Sequence, residues 1–251
     1  MSAADWAGMA ATCFIASLLQ ATNGFGFAVL AVPFFLILAP PGEAVPIIVM
    51  ISFAVSIFVM PRLYRWVDFG LLRRVTIGSL IALPLGLFAA AHSDRVVVGA
   101  VAGTIVTGFA LMLSWLRWHG QARALALRPS RDLAAGAVAG IATGLVGMAG
   151  PPVLIYLMLA RAPMTTMRAT LIAFFAVIYA VTLTANAVFA GMPGRDWLIA
   201  ASLLPLVWAG GRIGLRAGDR LGEAAAAALA LSVLGAAGLY TLAVAAHAAL
   251  K

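Results

Sequence analysis

The chain has 251 residues, 64% of them hydrophobic and only 10% charged, with a formal charge of +8. A soluble domain is about 45–50% apolar and about 25% charged, so a mean hydropathy of +1.09 excludes a single water-soluble core. All 16 cations except Lys251 are arginines, set in short clusters between apolar runs, as in loops that flank membrane spans. They do not form the basic stripe of a nucleic-acid-binding surface, so nucleic acid is not an expected partner. Cys13 is the single cysteine, which rules out an intrachain disulfide and a cysteine-based zinc site. The composition is that of an all-α, polytopic integral membrane protein.

Before the first apolar run stands Asp5 and no Lys or Arg, unlike the positive start of a secretory signal. Charge-free intervals then run over 6–42, 44–61, 75–93, 96–116, 133–160, 169–194, 197–211 and 224–250. One crossing of a ~30 Å hydrocarbon core takes about 20 helical residues. Six intervals fit one crossing each, with 197–211 borrowing flanking residues. The interval 6–42 is too long, about 55 Å as helix. The interval 133–160 exceeds one span and falls short of two.

Both misfits hold glycine-rich breaks. The first reads Gln20-Ala21-Thr22-Asn23-Gly24-Phe25-Gly26-Phe27, and the second Thr143-Gly144-Leu145-Val146-Gly147-Met148-Ala149-Gly150-Pro151-Pro152. Paired prolines remove amide donors and clash with the preceding turn, so the second helix is expected to stop near Gly150. Each long interval reads as two short helices meeting at the break, a hairpin with no net crossing. If both were single spans, the cations would divide 10:6 between the two sides. If the second returns to its starting side, only Arg95, Arg195 and Lys251 oppose the rest, a 13:3 division that the positive-inside rule favours.

The halves also resemble each other at an offset of about 125. Gly24-Phe25-Gly26 matches Gly147-Met148-Ala149, Glu43-Ala44 matches Arg168-Ala169, Leu83-Pro84 matches Leu204-Pro205, and Asp94-Arg95 matches Asp219-Arg220. A hairpin plus three spans crosses an odd number of times, so the second repeat is inverted. The expected organisation is a first repeat over 1–116, a cytoplasmic linker over 117–132, and a second, inverted repeat over 133–251. Inverted repeats with broken helices in matching positions are the pattern of secondary transporters, whose sites lie at the breaks.

Over nearly its whole length the chain resembles the sulfite exporter TauE/SafE family of membrane transporters. The resemblance rests on Gly24-Phe25-Gly26, Gly147-Met148-Ala149-Gly150-Pro151 and Arg168-Ala169-Thr170. It also rests on the Arg-x-x-Asp-aromatic segment at 65–69 and on Gly211 with Gly214. Phe27 and Ala28 stand where members often carry further glycines, and Pro151 interrupts the second cluster. The resemblance implies an inner-membrane secondary transporter, most simply an exporter, of small sulfur oxyanions or organosulfonates such as sulfite or sulfoacetate.

Gly136, Gly140 and Gly144 recur every four residues and read as a helix-packing stripe. Gly24, Gly26, Gly147 and Gly150 instead coincide with helix ends. A helix that starts after such a break turns unpaired N–H groups and a positive dipole end toward it, and two such ends make an anion cradle. The candidate substrate-binding set is Gln20, Thr22, Asn23, Gly24, Phe25, Gly26, Thr143, Gly147, Gly150, Pro151 and Arg168. For Gln20, Thr22, Asn23 and Thr143 the alternative is hydrogen bonding to a neighbouring helix. For Arg62, Arg161 and Arg168 it is interfacial anchoring. Trp66, Trp197 and Trp208 read as belt residues.

No Asp or Glu sits mid-interval, which argues against a cation carrier. No Ser-His-Asp or HExxH arrangement lies in the apolar segments, so neither catalysis nor a metal or cofactor site is expected. The partners expected are a small anionic substrate, the lipid bilayer and, for a homo-oligomer, further copies of the chain. A passive anion channel and a non-transporting membrane scaffold are the competing readings.

Overall fold

The computed structural model describes residues 3–119 and 125–220, and every regular element among them is helical. The helices are α1 (Ala3–Asn23), α2 (Phe27–Leu38), α3 (Pro41–Leu63), α4 (Phe69–Ala91), α5 (Arg95–His119), α6 (Pro129–Val146), α7 (Gly150–Leu159), α8 (Met164–Ala185) and α9 (Gly194–Arg220). Five are long and apolar enough to cross a membrane: α3, α4, α5, α8 and α9. The last apolar interval, 224–250, expected to be the third span of the second half, lies outside the described residues, as does the centre of the 117–132 linker.

Both expected breaks are present, and glycine makes each of them. α1 ends at Asn23, followed by Gly24 with φ +83° and Gly26 with φ +116°. α6 ends at Val146, capped by Gly147 with φ +72°, whose N–H donates to the Thr143 carbonyl at 2.8 Å. These positive φ angles cost an L residue roughly 1–2 kcal/mol each and cost glycine little. The proline pair acts differently from the expected stop. The helix stops four residues before Gly150, and Gly150-Pro151-Pro152 form the first turn of α7. Proline is tolerated there because the first-turn N–H groups have no helical partner to lose.

The second hairpin closes on itself. The Tyr156 hydroxyl near the end of α7 donates to Asp132 Oδ1 in the first turn of α6, and Arg74 of α4 pairs with the other carboxylate oxygen. The Leu125 N–H, just before α6, donates to the Leu159 carbonyl at 2.8 Å. α7 therefore doubles back along α6 and ends beside its start. α1 and α2 pack against each other in the first hairpin.

The two most extensive helix contacts are α4 with α6 and α1 with α9. On α6 the stripe Gly136, Gly140, Gly144 faces Val75, Ser79 and Leu83 of α4 in that order, so these helices run parallel. On α9 a second stripe, Gly210, Gly214, Gly218, faces Phe14, Leu18 and Thr22 of α1, again in order and parallel. A Cβ on Gly140 would stand 2.8 Å from Ser79 Cα, closer than real side chains approach. The bare glycines let the backbones touch, which is how helices gain packing energy where no water is displaced. Ser79 adds a 2.7 Å hydrogen bond to the Gly136 carbonyl.

Outward-facing positions are apolar, with Ile81 72%, Leu85 63%, Phe88 66% and Leu198 73% exposed. In water such a surface would be a liability; it suits lipid. Trp66, Trp197 and Trp208 are exposed as belt residues are, with Arg65 stacked on Trp66 at 4.0 Å and Arg212 on Trp208 at 4.8 Å.

Candidate functional site

The two breaks meet inside the protein. A Cβ on Gly150, the first residue of α7, would stand 3.9 Å from Phe25 Cβ in the first break and 3.1 Å from Phe175 Cζ of α8. Phe25 packs edge-on against Phe109 of α5, centroids 5.7 Å apart, and Phe175 stacks on Tyr179 at 5.6 Å. The Tyr179 hydroxyl donates to the Gly147 carbonyl at 3.3 Å. An aromatic wall contributed by α5, α8 and the first break thus encloses the point where the breaks approach.

The polar candidates divide by what they already bond. Gln20 is buried on α1 and donates through Nε2 to Ser56 Oγ of α3 at 3.0 Å. Thr22 is fastened to helices, its hydroxyl placed 2.8 Å from the Leu18 carbonyl and 3.1 Å from the Gly214 carbonyl. The Thr143 hydroxyl donates back to the Ala139 carbonyl of its own helix at 2.6 Å, the usual arrangement for a threonine inside an apolar helix. Asn23 differs from all three. It is 1% exposed, and neither its Nδ2 nor its Oδ1 has a hydrogen-bond partner. An amide left like this costs about 1–3 kcal/mol.

Arg168 does not extend to an interface. It is 8% exposed, and its guanidinium donates to the Ala21 carbonyl in the last turn of α1. A cation at that end is favoured by the helix dipole and satisfies a carbonyl that the helix leaves open. The Arg168 backbone also sits against Gly24, where a Cβ would lie 2.7 Å from Arg168 Cα. Gly24 is therefore fixed by architecture as well as by conformation. Gly147 is similar: its Cβ would lie 3.2 Å from Val45 Cγ1 and 3.3 Å from Val49 Cγ2 of α3.

The helix starts at the breaks are unequal. α2 begins at Phe27 after Gly26 with no side-chain cap, so its first-turn amides Phe27, Ala28 and Val29 are without side-chain acceptors. α7 also lacks a side-chain cap, but Pro151 and Pro152 bring no N–H, leaving Gly150 as the sole amide among its first three residues. The first break is the stronger donor end.

Residues that the sequence did not single out complete this region: Ser56 as the partner of Gln20, Phe175 and Tyr179 as the wall, and Tyr156 as the tie that closes the second hairpin. Ser52 and Ser56, four apart on an otherwise apolar α3, were the available signal for a polar face. Among the described residues two acidic side chains are buried, both at helix starts: Asp132 in its ion pair with Arg74, and Asp196 in the first turn of α9, 1% exposed.

The sequence model of the family described as Sulfite exporter TauE/SafE matches residues 9–241, spanning both breaks and every helix that meets them. The chain belongs to the TauE/SafE family. It is thus a multi-pass membrane protein of a family of transporters rather than enzymes, as the resemblance implied. No curated protein and no solved structure matches it. The description of the TauE/SafE family names sulfite export.

Proposed function

We propose that this protein is a secondary transporter of the inner membrane that exports small sulfur oxyanions or organosulfonates. The anion is held where the Gly24–Gly26 and Gly147–Gly150 breaks meet. The observation that carries the reading is the contact of Gly150 with Phe25, which sets the uncapped start of α2 beside the start of α7. Open amides and a positive helix end attract an anion without a mobile cation, and the effect is strongest where water is scarce. Because Pro151 and Pro152 carry no N–H, α2 supplies most of the donors, Asn23 adds an uncommitted amide, and Pro151 with Phe25 forms the apolar side. Arg168 contributes positive potential from its position at the end of α1.

An inverted repeat is supported by the reciprocal packing, in which the first helix of each half lies parallel to the fourth helix of the other. It is also supported at α3 and α8. Asp68, just past the end of α3, bonds Thr170 near the start of α8, while Val45 and Tyr179 meet at Gly147, so these equivalent helices run antiparallel. Equivalent helices of opposite direction are what inversion produces, and with it a site that can be opened alternately to each side.

The test is counterflow in proteoliposomes with sulfite, sulfoacetate, sulfate and a cation such as choline. Saturable flux of at least one of these anions, with no cation flux, is expected. Unsaturable anion conductance would make it a channel, and the absence of any flux a scaffold.

A further inference from the structure

We infer that, of the two cargo classes proposed above, the site favours the sulfur oxyanions over the organosulfonates and selects one that still carries a proton: for sulfite, the hydrogensulfite monoanion and not the sulfite dianion. This rests on the anion-transport reading above and goes on to the protonation state of the cargo. Asn23 is the last residue of α1, three residues before the left-handed Gly26 that opens α2. It is 1% exposed, and both ends of its amide lack a partner. The Nδ2 donates and the Oδ1 accepts, whichever way the amide is turned. A fully deprotonated oxyanion only accepts. It would satisfy Nδ2 and the α2 amides but would set its charge against an unpaired Oδ1. An anion bearing an O–H satisfies both ends at once: its oxygens take Nδ2 and the α2 amides, and its hydroxyl donates to Oδ1.

The electrostatics agree. The segments 20–27 and 143–151 contain no charged residue. α2 carries none, α3 and α5 carry theirs toward their ends at Glu43, Arg62, Arg95 and Arg117, and α9 carries Arg195 and Asp196 in its first turn and Asp219 in its last, with Arg212, Arg216 and Arg220 exposed. Among the described side chains, the charged one buried at the first break is Arg168, which donates to the Ala21 carbonyl. A second full negative charge on the cargo is costly to bury in so apolar a setting. Of the other titratable groups on these helices, Tyr179 is bonded to the Gly147 carbonyl and Cys13 stands about 15 Å back along α1, while Asp5 begins α1, Tyr156 bonds Asp132 near the end of α7, His119 ends α5, and Asp196 and Asp219 lie in the first and last turns of α9. Histidine ordinarily titrates in the window of about pH 6 to 8 and His119 ends α5, so the part of the pH response that Asn23→Leu removes is the part that reports the ligand, whose second ionisation falls near neutrality.

The experiment is calorimetric binding to the purified full chain in detergent, where no proton gradient exists, with sulfite and with methanesulfonate, a monoanion that has no O–H. The apparent Kd for total sulfite is expected to rise roughly tenfold between about pH 6 and about pH 8, in proportion to the loss of the protonated fraction. Methanesulfonate is expected to bind weakly and with no pH slope. Asn23→Leu is expected to weaken sulfite binding and flatten its slope, which a merely structural residue would not do. Sulfite affinity that is flat or improves with pH overturns the inference while leaving anion transport standing. So does an Asn23→Leu protein that keeps the slope, or methanesulfonate that binds as tightly as hydrogensulfite; an internal water on Asn23 would give these results. Binding of no anion, together with no flux, overturns the transport reading itself.

Discussion

Replacing Asn23 by leucine separates a ligand-binding residue from a structural one through stability alone. Leucine keeps the γ-branched outline of asparagine and is the apolar side chain nearest to it in shape for this 1% exposed position. The native amide has two unpartnered polar ends. Removing a buried group without a partner recovers about 1–3 kcal/mol, the penalty it imposes on the resting protein. For a chain of this size each kcal/mol moves the unfolding midpoint by about 2–4 °C, so Asn23→Leu should raise the Tm by roughly 2–12 °C in ligand-free detergent. The variant should also lose most of the further Tm rise that sulfite gives the wild type, since binding to the folded state alone is what raises apparent stability. Scanning fluorimetry with and without sulfite measures both. A variant less stable than wild type would refute the reasoning, because Asn23 would then be bonded in the resting protein. The result expected is a site residue kept at the expense of stability, a common trade in functional proteins.

Thr22→Val is the contrasting change: it removes the bond to the Gly214 carbonyl and should lower stability by about 0.6 kcal/mol, the average for such bonds between membrane helices, without altering sulfite affinity. Gly140→Leu should force α6 from α4 and cost about 1–3 kcal/mol or prevent folding, read by thermal unfolding and by yield of monodisperse protein. Asp132→Asn should destabilise by about 1–3 kcal/mol by leaving Arg74 without its counter-charge, less than for a fully buried pair because the Arg74 side chain is 30% exposed. On a Cys13→Ser background, a cysteine at Thr165 should resist an impermeant reagent added from outside the cell, and labelling there would defeat the returning second hairpin.

Much of this arrangement was legible in the sequence because bilayer thickness is a fixed ruler. Two intervals failed to match it, and glycines marked where they break, at Gly24 and Gly147. The packing role of Gly136, Gly140 and Gly144 was equally plain from their spacing. The matching stripe on α9 was not: Gly210 and Gly211 are adjacent, so the sequence does not say whether the register runs 210-214-218 or begins one residue later. Pro151 and Pro152 were misleading because proline forbids a helix behind it but not ahead of it. Arg168 illustrates the deeper obstacle. Its role depends on the carbonyl of Ala21, 147 positions away, and no local pattern records that its cation caps the end of another helix. Likewise Asn23, Thr22 and Thr143 look alike as polar residues near breaks, and only their partners, or the want of them, tell them apart.

The cross-packing of the two halves has a consequence for how the protein is made. The surface on α1 that receives α9 is complete as soon as the first helix leaves the ribosome, but Gly214 follows Thr22 by 192 residues. Until those residues are synthesised, the groove along Phe14, Leu18 and Thr22 must rest against lipid, the translocon or a neighbouring chain. The same wait, though shorter, applies to α4 before α6 arrives. Among the described residues, the helix that packs most extensively on the first helix of each hairpin comes from the other half, so each half is an unfinished surface when expressed alone. Two separately synthesised halves should therefore find each other in the membrane, and a premature stop anywhere before α9 should leave a product that membrane quality control recognises by its uncovered α1.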